Sequence, residues 1–156
     1  MNDIVIFEDR NLASLLAEEI SGNPNNLDCL TKENLAKVEE IFSITMLISR
    51  KEEDKIKSLE GLEWCVNLRQ LHLVDHNIED LSPLYDLENL QIINLRKNKI
   101  QSIYPLVEKS SIQTLVVGQN NIKDVSILET LTALQSVYVQ ENPLKNDSLL
   151  FLNKLP

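Results

Sequence analysis

The sequence predicts an α/β solenoid, with short parallel strands stacked side by side and each followed by a return segment. Three observations predict it. One motif recurs with a fixed spacing of 22 residues, which puts His76, Asn98, Asn120 and Asn142 in a single slot. Ahead of that slot, Leu71 and Leu73, Ile93 and Leu95, Leu115 and Val117, and Val137 and Val139 alternate with polar or mixed residues. A period of two marks a short strand with one face buried. Beyond the slot, Ile78, Ile100, Ile122 and Leu144 recur, followed by Leu81, Ile103 and Val125, so inward-pointing positions keep the same register in every coil.

Written out, the repeated segments are LRQLHLVDHNIEDLSPL, LQIINLRKNKIQSIYPL, IQTLVVGQNNIKDVSIL and LQSVYVQENPL. A repeat of this length around an L-x-L-x-x-N-x-L core is the leucine-rich-repeat signature. It resembles the 22-residue class found in the internalins and in leucine-rich phosphatase regulators. The resemblance implies a horseshoe with about five short strands on its concave face. It also implies that the Asn side chain bonds backbone groups of its own and neighbouring coils, satisfying donors and acceptors that a buried bend would strand. His76 departs from the slot. Either one of its ring nitrogens imitates the amide, or Asn77 shifts to serve.

Pro83 and Pro105 open two return segments, where a fixed φ and a missing N–H suit a first helical or 3₁₀ position. Leu84, Leu87 and Leu90, like Leu128, Leu131 and Leu134, close their coils from the convex side. A single coil cannot bury its own apolar face, so the coils need one another and the two ends need covers.

The expected domains are an N-terminal helical cap over 1–43, repeats over 44–144 and a C-terminal cap over 145–156. Asp9 is placed to cap a first helix carrying Leu12, Leu15, Leu16 and Ile20, which Ser21 to Asn26 break. Thr31 is placed to cap a second helix carrying Leu35, Val38 and Ile41 or Phe42. Both helices resemble the internalin cap. The spacing then predicts a degenerate first coil from Ile44 to Leu62, with Met46 and Ile48 in its strand and three extra residues bulging within Ser49 to Asp54. Trp64 is expected to pack near the cap. At the other end, Ser148 to Leu155 reads as a last helix too apolar to bury on one side, which suggests self-association there.

Net charge is −9, of which −6 falls in residues 1–61, and no basic stripe is present. That balance argues against nucleic acid and against an anionic membrane surface. MNDIVIFEDR is unlike a secretory signal, no stretch reaches the length of a membrane span, and the expected location is cytoplasmic. The two cysteines, Cys29 and Cys65, are too few for a framework and are expected as free thiols in a reducing compartment. No nucleophile–base pair, paired carboxylate or phosphate-cradling loop appears, so the expectation is a non-enzyme with no cofactor. His72, Asp75 and His76 do not make a metal site, because alternation sends His72 outward and His76 inward.

Function is therefore expected on the outward strand residues. Read as columns they are Thr45, Gln70, Ile92, Thr114 and Ser136; Leu47, His72, Asn94, Val116 and Tyr138; and Ser49, Val74, Arg96, Gly118 and Gln140. Just past them lie Asp75, Lys97, Gln119 and Glu141. The expected contact set is Leu47, His72, Val74, Ile92, Asn94, Arg96, Lys97, Val116, Tyr138 and Gln140, led by Tyr138 and Arg96 because Tyr and Arg most often dominate interfaces. The expected partner is a protein or peptide. An array roughly 20 Å wide offers well under the roughly 800 Å² per partner of a standard interface. The partner is then a short segment, or a protein that also grips the Arg50–Asp54 insertion or an end cap. The alternative is a small acidic inhibitor, of phage or immunity type, whose charged cap or insertion blocks a basic site.

Overall fold

A computed structural model describes residues 3–43 and 51–147. Five parallel strands form one sheet in sequential order: β1 Glu40–Ser43, β2 Gln70–Leu73, β3 Ile92–Asn94, β4 Thr114–Val116 and β5 Ser136–Tyr138. From β2 onward each strand pairs with the residue 22 positions later, as Gln70 with Ile92 and Ile92 with Thr114. The alternation is realised through β4, for Leu71, Leu73, Ile93, Leu95, Leu115 and Val117 are all fully buried; in the last coil Val139 is buried but Val137 is only half-buried. Return segments are short 3₁₀ turns, at Leu62–Trp64, Ser82–Leu84, Tyr104–Leu106 and Ser126–Thr130, with Pro83 and Pro105 in the first turn of theirs.

The asparagine slot does what the repeat requires. Asn98 Oδ1 accepts from Ile78 N at 3.1 Å, while its Nδ2 donates to Leu73 O at 2.8 Å and Leu95 O at 3.0 Å. Asn120 and Asn142 repeat the pattern one and two coils on. The residue before each slot, Asp75, Lys97, Gln119 or Glu141, is left-handed with φ between 56° and 61°, a conformation that turns the chain out of the strand.

His76 imitates the amide through its ring. Nδ1 accepts from Ile56 N at 2.9 Å, the bond equivalent to that from Ile78 N to Asn98, and Nε2 lies 3.3 Å from Ser43 Oγ. With Nδ1 accepting, the neutral ring carries its proton on Nε2 and donates it to the serine. Ser43 stands where the later coils put Leu73, Leu95 or Val117, and its small side chain makes room for a ring larger than an amide. Asn77 does not take over the slot; its side chain donates to Glu52 Oε1 instead.

The first strand departs from expectation. The strand expected at Met46 and Ile48, and Leu47 with it, lie outside the described residues, and the place beside β2 is taken by Glu40–Ser43. Ile41 and Ser43 point inward, and Arg69 N and Gln70 N both bond Glu39 O, which draws this segment onto the sheet. Twelve residues therefore separate Ser43 from Ile56 where four separate Leu73 from Ile78, so the insertion is eight residues long instead of three. The same pull shortens the second helix. It makes one turn, α2 (Lys32–Leu35), capped by Thr31 Oγ1 on Asn34 N, and Ile41 is delivered to the strand.

The first helix, α1 (Arg10–Ser21), matches its expectation, with Asp9 as N-cap and Gly22 left-handed at its C-terminal end. Asp9 also fastens the cap to the repeats. Its Oδ1 accepts from Asn11 N and Leu12 N, and its Oδ2 from Lys57 N at 2.6 Å and Ser58 N at 3.3 Å. Asn11 Nδ2 donates to Glu53 O at 2.8 Å and so holds the end of the insertion against the helix. Trp64 packs by the cap as expected, with Lys32 Nζ 3.8 Å from its ring centroid, a cation–π contact.

Both cysteines are free thiols; Cys65 is fully buried and Cys29 half-buried. Burial pushes the Cys65 thiol up to about 12. Native protein at pH 8 is therefore expected to take up one equivalent of iodoacetamide, at Cys29, with the second thiol reacting only on unfolding. Fast modification of both thiols in the native state would contradict this packing. The expected C-terminal helix over Ser148 to Leu155, and with it the self-association surface, lies outside the described residues.

Candidate binding face

The outward side of the sheet is the concave face. Register puts Phe42, His72, Asn94, Val116 and Tyr138 in one row across all five strands. The ends of the row are its exposed aromatics, Phe42 at 37% and Tyr138 at 49% accessibility. His72, Asn94 and Val116 between them are half-buried. Phe42 stacks on His72 with ring centroids 4.5 Å apart and planes 17° from parallel. Among the described residues His72 Nε2 is buried without a hydrogen-bond partner, and this desolvation lowers the imidazole's affinity for a proton although Glu40 lies near.

On one side of that row run Glu40, Gln70, Ile92, Thr114 and Ser136, where Gln70 Nε2 donates to Glu40 Oε1 at 2.5 Å. On the other side lie Val74, Arg96, Gly118 and Gln140, backed by the left-handed residues. Those residues are cross-linked between coils. Lys97 Nζ lies 2.9 Å from Asp75 Oδ2, Lys55 Nζ lies 3.4 Å from Asp75 Oδ1, and Gln119 Nε2 donates to Glu141 Oε2 at 2.8 Å.

Of the expected contact residues, His72, Val74, Ile92, Asn94, Arg96, Lys97, Val116, Tyr138 and Gln140 share this side of the sheet. Leu47 lies outside the described residues, and Phe42 occupies the strand position assigned to it. Lys97 is committed to Asp75, which leaves Arg96 as the open half of the basic spot. Phe42 and Glu40 were missed. The sequence signal for them was weak, for Ile41 is the one apolar inward residue of β1 and Ser43 is polar, whereas Met46 and Ile48 in the next few residues are both apolar.

The Lys97 ammonium, and after it Lys55, hold the Asp75 carboxyl below the usual carboxylate range. A carboxyl with a lowered folded value binds fewer protons in the folded than in the unfolded chain. Its stabilisation is present above pH 4 and is lost as pH falls through the folded value. Asp75→Asn should therefore cost stability at pH 7 and flatten the acid limb of a melting-temperature profile between pH 4 and 2. An unchanged acid limb would show that the triad of charges is not maintained in solution.

Two further features complete the surface. An open cleft of about 520 Å³ is lined by Glu8, Glu52, Glu60, Glu79 and Asp80 with Lys57 and Lys99, and by none of the outward strand residues. Lys109 fills the core position held by Cys65, Leu87 and Leu131 in other coils, and its buried Nζ donates to Tyr85 O at 2.6 Å and lies 3.4 Å from Oε1 of the exposed Glu88. Among the described residues no group of three His, Cys, Asp or Glu could hold a metal ion, and no helix is long and apolar enough to cross a membrane.

No family model and no curated protein matches the chain. Solved structures do match. An internalin of Listeria monocytogenes, InlF, superimposes with a TM-score of 0.63 at 21% identity, over 99% of this chain and 51% of that one. Internalin C2 of the same organism gives 0.59 at 20% identity, over 93% and 89%. A leucine-rich-repeat protein of Leptospira interrogans gives 0.63 at 21% identity, over 78% and 36%. The fold is a leucine-rich-repeat solenoid similar to that of the internalins, and the chain spans about half the length of InlF.

Proposed function

We propose that this chain is a non-catalytic binding module that works in the cytoplasm and takes a protein or peptide partner on the concave face of its solenoid. The observation that carries the reading is the continuous row from Phe42 to Tyr138, which keeps two exposed aromatics and an unpartnered imidazole nitrogen on a sheet whose other face is a close-packed core. Large apolar side chains held rigid on a strand bind at low entropic cost, and contacts of this type supply most interface energy.

The test is affinity capture from the native organism with four proteins: the wild type, Tyr138→Ala with Arg96→Ala, and two convex controls, Tyr85→Ala and Tyr104→Ala. The concave pair is expected to lose at least one specifically captured protein that both controls retain. Retention of every captured protein by the concave pair would overturn the reading.

One observation favours a second reading. The acidic cleft beside the cap and the insertion is the surface a small acidic inhibitor would present to a basic site. Salt separates the two. Binding through the cleft should collapse as ionic strength rises to 0.5 M, whereas an aromatic concave contact persists.

A further inference from the structure

We propose that Arg96 is the receptor for a carboxylate, so that the segment held by the concave face is acidic and carries an apolar side chain about 10 Å from its Asp or Glu. This rests on the concave-face reading and specifies its ligand. Arg96 projects from the third column and its Nε donates to Gln119 Oε1 at 3.0 Å. Gln119 is itself held by Glu141 at 2.8 Å, so the guanidinium is positioned through a two-step relay. Neither bond uses Nη1 or Nη2, and among the described residues no carboxylate pairs with this arginine. The neighbouring cation, Lys97, has its carboxylate in Asp75; Arg96 lacks one.

The next residue in the column is Gly118, which has no side chain to lie beside the guanidinium. A Cβ there would stand 3.1 Å from Gln140 O, so close approach to the next coil favours glycine. The guanidinium thus keeps Nη1 and Nη2 open, two parallel N–H donors in the geometry that takes a carboxylate in bidentate fashion. Val116 and the half-exposed Tyr138 provide an apolar surface within two strand spacings, roughly 10 Å away. In an extended segment that is about three residues from the carboxylate. The chain's net charge of −9 opposes an acidic partner at long range. Selectivity here comes from contact geometry, not from electrostatic steering.

A random 12-residue peptide library displayed on phage, panned against the folded chain, tests this directly. The enriched peptides should carry Asp or Glu about three residues from an aliphatic or aromatic side chain. In fluorescence polarisation with an enriched peptide, Arg96→Ala and Tyr138→Ala should each weaken binding about tenfold or more, and Arg96→Lys should weaken it severalfold because an ammonium cannot form the bidentate pair. Tyr85→Ala should change nothing. Basic or uncharged peptides that depend on Tyr138 but not on Arg96 would overturn the carboxylate assignment and leave the concave face standing. Peptides sensitive to Tyr85 and to neither concave residue would overturn both. Failure to enrich any peptide above the bare support would overturn the carboxylate assignment.

Discussion

Asn120→Ala is expected to destabilise the protein by roughly 3–5 kcal/mol, a large fraction of the stability of an ordinary domain. The side chain is 6% exposed and meets four backbone groups: Nδ2 donates to Leu95 O and Val117 O at 3.0 Å and to Gly118 O at 3.2 Å, and Oδ1 accepts from Ile100 N at 3.0 Å. Alanine removes all four partners at a bend that water does not reach, and each stranded buried group costs about 1–3 kcal/mol. Asn142→Ala makes the internal comparison. Its contacts are of the same kind but part-buried, so water can replace some of them and the loss should be smaller. Urea unfolding of the two variants checks both the size and the order. Equal losses would mean that burial does not set the cost.

Gly61→Val is expected to cost about 3 kcal/mol or more and to loosen the cap from the first coil. Gly61 has φ +99°, where a β-branched residue is strained, and the ring of Phe7 lies where its Cβ would be. Phe7 comes from the N-terminal segment, which is tied down by Val5 N on Leu30 O and by the bridge between Ile4 and Thr31. Displacing the ring therefore uncovers the end of the solenoid. A double-mutant cycle separates the two causes. In a Phe7→Ala background, Gly61→Ala should retain only the backbone penalty of about 1 kcal/mol, whereas in the wild type it also carries the clash. Additive losses would show that ring and glycine do not meet.

The repeats were legible because their physics is periodic. Leu71, Ile93, Leu115 and Val137 could be aligned by spacing alone, and each repeat confirmed its neighbours. Legibility failed where a residue's role depends on something that is not repeated. Between Glu40 and Ile48 the inward pair actually used, Ile41 and polar Ser43, is followed by the fully apolar pair Met46 and Ile48, and spacing back from Ile56 also favours the later one because it needs a shorter insertion. What selects the earlier one is three-dimensional: Phe42 stacks on His72, and Ser43 gives the His76 ring both space and a partner.

Lys109 escaped notice for a related reason. A lysine in a sequence reads as surface, and only alignment with Leu87 and Leu131 marks it as a core occupant. Its aliphatic stem fills the leucine's place while its ammonium reaches Tyr85 O and the Glu88 carboxylate at the edge. On the binding face, the outward columns could be read from alternation. The pairing that singles out Arg96 could not, because the bonds from Lys97 to Asp75 and from Arg96 to Gln119 depend on side-chain geometry across coils.

The concave face can be tested most directly by light. p-Benzoylphenylalanine replacing Tyr138, and separately the convex Tyr104, exchanges one exposed aromatic for another at each site and crosslinks only what lies within a few ångströms. Irradiated in an extract of the native organism, the protein labelled at 138 should form a discrete adduct with its partner, and the protein labelled at 104 should not. An adduct from position 104 alone would contradict the account.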